Sequence, residues 1–175
     1  MDKSSDDTDD FGKALVYSTR APLAWAEPGQ SLSSKFDAEN EQCLRVILNL
    51  SEHHTAEYTE DIAAIERKVD ITMQMVAELL RASIDMPTSK DVCLGAREIT
   101  WQEDATCPSV GAYLDVAVYL HELYPKPLRL RGRLSSVKNN QCKIDLEPQS
   151  EEVQQLLEKF IFLHHRRAIA LAKKA

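Results

Sequence analysis

Glycine and proline are missing from residues 30–86, a gap of 57 positions in a chain of 175. With neither residue to force a turn, that stretch reads as helix. Other shortages exclude functions. Five glycines in the whole chain leave few loops able to cradle a phosphate with bare backbone. No apolar run approaches the ~18–20 residues of a membrane-spanning helix, and an acidic N-terminus is unlike a secretory signal. Cys43, Cys93, Cys107 and Cys142 form no close pair and match no zinc spacing, so reduced thiols in a cytoplasmic protein are expected. No Ser/His/Asp grouping or supported carboxylate pair appears. An enzyme is therefore not expected, nor a catalytic residue, metal ligand or cofactor.

What is present divides the chain. The first ten residues hold five Asp and no apolar pattern, which predicts a disordered acidic tail over 1–12. Residues 31–87 carry the helical signal, with Ser34 as N-cap and Asp37 in capping-box position. A heptad frame runs through Leu48, Ser51, Thr55, Tyr58, Ile62, Ile65, Val69, Thr72, Val76, Leu79 and Ser83. From Tyr58 to Leu79 every seam position is apolar except Thr72. The polar layers in "SEHHTAEYTEDI" predict a break, with Thr59 as a second N-cap. One helix is expected over about 35–50 and another over about 56–84, the second roughly 40 Å long.

Ile62 and Ile65 stand at consecutive a and d positions, a pairing that favours trimers and tetramers over dimers. Met73, Met75 and Leu80 widen the stripe beyond what a dimer would cover. Self-assembly, with a tetramer favoured, is the expectation. The alternative is that the stripe packs on the chain's own β domain.

After Pro87 the period changes to two. In "YLDVAVYLHEL" Leu114, Val116, Val118 and Leu120 share a face, and in "LRLRGRLSSV" Leu128, Leu130 and Leu134 do. "DVCLGAREITW" supplies one strand before these and "QCKIDLE" one after them, across a "KNN" turn. Four strands in meander order are expected, followed by a helix capped by Ser150 with Val153, Leu156, Leu157, Phe160 and Ile161 on its apolar stripe. "ALVYSTRAPLAW" reads as an extended segment available to the same sheet. The predicted class is α+β: a small antiparallel β-barrel with a C-terminal helix over 13–30 plus 88–175, and a helical oligomerisation insertion over 31–87.

This order, with the motifs "TRAPLAW" and "DVCLGA", resembles the PilZ domain. That family is a small bacterial β-barrel that generally binds cyclic di-GMP through an RxxxR loop and a [D/N]xSxxG turn. The resemblance covers residues 88–170 and 14–26. In "DVCLGA" Asp91 keeps the acidic position, Cys93 replaces the Ser and Ala96 the final Gly, with Gly95 one place early. Arg20 matches the second Arg of RxxxR, and the first falls on Val16. The chain is also similar to an atypical PilZ branch that forms tetramers through heptad-patterned helices. Losing a bidentate arginine costs roughly 1–3 kcal/mol per orphaned partner. Cys is a weaker donor than Ser, and a Cβ in place of Gly narrows the turn. The resemblance thus implies a bacterial signalling adaptor that acts on an unidentified protein partner and binds cyclic di-GMP weakly or not at all. The alternative is a working sensor in which Arg20, Asp91 and outward arginines form a rearranged site. A basic-faced nucleic-acid module is disfavoured by the net charge of −7.

The remaining features have plain readings. Arg129, Arg131 and Arg133 read as the solvated face of a strand. "HHRR" (164–167), with Lys173 and Lys174, reads as a solvated helix end complementing its dipole. His53 and His54 point apart on a helix and lack a third ligand. Cys93 reads as a small apolar strand residue.

Overall fold

The computed structural model describes residues 15–28, 36–51, 59–104 and 106–172. The predicted tail, Ser34, His53, His54, Thr55, Tyr58, Lys173 and Lys174 lie outside them. The elements are β1 (Val16–Ala26), α1 (Asp37–Ser51), α2 (Glu60–Ala82), β2 (Ser89–Gly95), β3 (Glu98–Gln102), β4 (Tyr113–Val118), β5 (Leu128–Lys138), β6 (Gln141–Leu146) and α3 (Glu151–Ala172). The six strands close into an antiparallel barrel in the order β1-β2-β3-β6-β5-β4. The class is α+β, as expected.

Closure depends on β1, which serves two partners. Val16 to Pro22 pair with β2, and Leu23 to Ala26 pair with β4. Pro22, with no N–H to donate, sits at the changeover, where a missing ladder bond costs least. Its carbonyl accepts from Tyr119 N–H at 3.0 Å, while Leu23 N–H turns to Thr88 O at 3.2 Å. Joining both ends of the sheet through one strand removes the exposed edges.

Two strand predictions need correcting. "DVCLGAREITW" is a hairpin, β2 and β3 turning at Ala96 and Arg97, and not one strand. The order is not a simple meander either: β3 pairs with β6, and the chain crosses to β4 in between. Period-two alternation identifies a strand but says nothing of its neighbour. The "KNN" turn does form. Asn139 and Asn140 take φ of 50° and 61° between the paired Lys138 and Gln141, the two-residue hairpin geometry that Asn tolerates.

Strand alternation sends Leu94, Ile99, Trp101, Leu114, Val116, Leu130, Leu134 and Ile144 inward. Leu44, Ile47 and Leu48 of α1, with Val153, Leu157, Phe160 and Ile161 of α3, join them in one buried cluster. Ser150 caps α3 as predicted, its Oγ accepting from Val153 N–H at 3.4 Å. Asn40 ties α1 to the barrel. Its amide donates to Arg129 O at 2.7 Å and accepts from Arg129 N–H at 2.9 Å. It thereby caps the part of β5 that precedes its pairing with β6, which starts at Gly132.

α1 therefore packs against its own chain, and Leu48 and Ser51 are buried there rather than extending the seam. Thr59, extended in backbone, is the N-cap residue of α2 as predicted, although its hydroxyl makes no capping hydrogen bond. No described helix or strand packs along α2. Among the described residues, no helix is long and apolar enough to cross a membrane.

Candidate functional site

Strand register brings the nucleotide-motif positions of the sequence onto one patch of β1 and β2. Val16 faces Gly95, Ser18 faces Cys93 and Arg20 faces Asp91. The Arg20–Asp91 ion pair is 3.6 Å long, with both side chains at least 70% exposed, so water screens most of its attraction. Cys93 Sγ accepts from Ser18 Oγ at 3.5 Å. Ala96 takes an ordinary negative φ, so its Cβ is unstrained, and its carbonyl accepts from Gln154 of α3 at 3.3 Å.

The outward arginines are not gathered with this patch, because β4 stands between β1 and β5. Each is engaged locally. Arg131 makes a two-pronged bond to Asp115 at 2.6 and 2.9 Å, which keeps its guanidinium pKa above the usual value against the lowering effect of burial. Arg129 lies 3.6 Å from Glu39, and Arg133 donates to Gly111 O at 3.3 Å. Arg131 is only 9% exposed, with Phe36 over it and over Arg129 at 5.8 Å. The solvated-face reading fails at Arg131 because the segment leading into α1 covers that part of β5.

The seam residues of α2 stand in the open. Ile62, Ile65, Val69, Val76 and Leu79 are 48–71% exposed, as are the flanking Ile71 and Met75. Thr72 is exposed too, its hydroxyl bonded back to Lys68 O at 2.8 Å. At 3.6 residues per turn, the helix side that faces the rest of the chain is a different one. It is formed by Gln74, Ala77, Glu78 and Arg81, near the helix end. Ala77 is the buried residue of α2, and Arg81 donates to Glu122 O at 2.6 Å. The predicted alternative, in which the stripe packs on the chain's own sheet, is not the arrangement seen.

Three features were missed by sequence reasoning. Lys90 points inward, in alternation with Val92 and Leu94. Its ammonium lies 2.6–2.7 Å from both oxygens of Glu103, whose Oε2 also accepts from Trp25 Nε1 at 2.7 Å and Trp101 Nε1 at 3.1 Å. A charge in step with two buried aliphatics was the available signal. Second, β4 ends at Val118, so Leu120 and His121 belong to a loop and not to the strand face. Third, His164 is not part of a solvated helix end. Its ring packs on Tyr17 and Phe160, with centroids 4.6 and 4.4 Å away. Burial, with Arg167 and His121 nearby, lowers its pKa. α3 runs on to Ala172, so "HHRR" is helix interior.

No family model matches the chain, and no curated protein matches it. Among solved structures, the chain is similar to a tetrameric PilZ domain of a pathogenic protein from Xanthomonas campestris, self-assembled via a helical bundle. The TM-score is 0.70 at 20% identity, covering 91% of this chain and 92% of that one. Barrel closure, the C-terminal helix and this likeness agree: the chain has the PilZ-domain fold, with α1 and α2 inserted between its first two barrel strands.

Proposed function

We propose that this protein is a non-enzymatic signalling adaptor in cyclic di-GMP-related bacterial regulation. It assembles, as a tetramer, through the Ile62–Leu79 stripe of α2, with the barrel presented to a protein partner. Cyclic di-GMP binds weakly or not at all. The observation that carries the assembly is a seam of branched aliphatic side chains exposed on a helix that turns another side to its own barrel. A soluble chain rarely leaves so contiguous an apolar stripe in water. Isoleucine at successive a and d positions directs such a stripe toward more than two strands, and the structurally similar Xanthomonas protein is tetrameric through a helical bundle.

Support for weak nucleotide binding comes from the motif patch. Val16 offers no donor where the family has an arginine, and the three outward arginines are held elsewhere by Asp115, Glu39 and Gly111. Light scattering on the purified protein tests the assembly. Wild type should have the mass of four 19.8 kDa chains, and Ile62→Asn with Ile65→Asn should reduce it to one. A wild type that is already monomeric defeats the proposal. In calorimetric titration, micromolar binding of cyclic di-GMP would instead favour the sensor reading.

A further inference from the structure

We propose that the cavity where α2 meets the rest of the chain binds a small organic anion, an apolar body carrying one carboxylate or phosphate. The cavity is an open cleft of about 610 Å³, within the range of small-molecule sites. It lies between the end of α1, the last turns of α2, residues 120–123 and α3. Its apolar wall comes from Tyr17, Leu50, Ala77, Leu120 and Leu123.

The polar groups around it are mostly donors. Arg81, from α2, spends one N–H on the Glu122 carbonyl. Arg167, from α3, spends one on the Ser51 carbonyl. A guanidinium has five N–H donors, so each has others to offer an anion, from two different helices. His121 accepts Leu123 N–H at Nδ1, 3.1 Å, which places its proton on Nε2 and makes that nitrogen a donor. His164 Nε2 is buried and has no hydrogen-bond partner among the described residues. His164 lines the same cavity, so its ring reports on what enters there. The carboxylates nearby, Glu78 and Glu122, belong to exposed residues, and Glu78 accepts from Gln74 at 3.3 Å. No cluster of three metal-ligating side chains occurs among the described residues, so an organic ligand fits better than a metal ion.

This inference does not depend on the assembly, because the seam residues of α2 do not line the cavity. The test titrates the full-length protein with benzoate and with phenyl phosphate, and with benzylamine as a cation of similar shape. The readout is the imidazole NMR signals of His121 and His164. We expect at least one anion to shift both histidines saturably, at a Kd of roughly 1 mM or tighter, while benzylamine shifts neither. Which anion binds more tightly decides between carboxylate and phosphate. Arg81→Lys and Arg167→Lys, which keep the charge but lose the planar fork, should each weaken binding several-fold. Ile62→Asn with Ile65→Asn should leave it unchanged, even if that variant is monomeric. Saturation by neither anion at ten times that concentration, or equal response to benzylamine, overturns the proposal.

Discussion

Lys90→Met offers the sharpest check on how the barrel is held. Lys90 and Glu103 are 9% and 4% exposed at their side chains, and the carboxylate also takes the two tryptophan N–H groups and Asp104 N–H. Removing the ammonium takes the counter-charge of Lys90 away from a carboxylate that is 4% exposed. Breaking a buried pair on one side costs about 3–5 kcal/mol, a large part of the ~5–15 kcal/mol by which a domain is folded. Glu103→Gln strands the ammonium and should cost a similar amount. The double variant is the informative one, because neither of these two positions is then charged and its amide oxygen still accepts a tryptophan N–H. It should be more stable than either single variant. Urea denaturation read by the fluorescence of Trp25 and Trp101 measures this, at one protein concentration throughout, since self-association shifts apparent stability by mass action. If both single variants lie within ~1 kcal/mol of wild type, as exposed pairs do, the pair is hydrated and the reasoning fails.

Two further outcomes follow from the barrel and its joint. His121 and His164 both have pKa values lowered chiefly by burial, so the unfolded chain binds their protons more readily than the folded one. Their stabilising contribution is full above the ordinary imidazole value of about 6.5 and is lost as pH falls below it. Denaturation midpoints between pH 8 and 5 should show that slope, and His164→Phe, which keeps a ring against Tyr17 and Phe160, should flatten it. Gly132→Ala should destabilise by about 1–3 kcal/mol, because its Cβ would overlap the Asp145 carbonyl and the Ile144 side chain across the β5–β6 ladder. A melting temperature unchanged from wild type would contradict that packing.

Much of the fold was legible because it rests on local periodicity. The gap in Gly and Pro marked the helices, and alternation marked the inward faces of β4 and β5, Leu114 through Leu134. Asn139–Asn140 announced a hairpin, and Ser150 announced the start of α3. The failures share a cause. "DVCLGAREITW" contains two strands, and the turn at Ala96–Arg97 is marked only by Gly95, the last residue of β2. Arg131 reads as solvent-facing by alternation, and only the approach of Phe36 and Asp115 buries it. His164 reads as part of a basic helix end until Tyr17, far off in sequence, lies against it.

The sequence alone determined which faces are apolar, since side-chain periods of 2 and 3.6 are properties of the backbone and travel with the chain. It thereby specified a strand-rich C-terminal half and an isoleucine-bearing helix. Tertiary structure decided which strand lies beside which, that β1 holds both edges of the barrel, and that α2 turns Ala77 and Arg81 inward while Ile65 and Leu79 face water. Those outcomes depend on contacts between residues distant along the chain, and no local period encodes them.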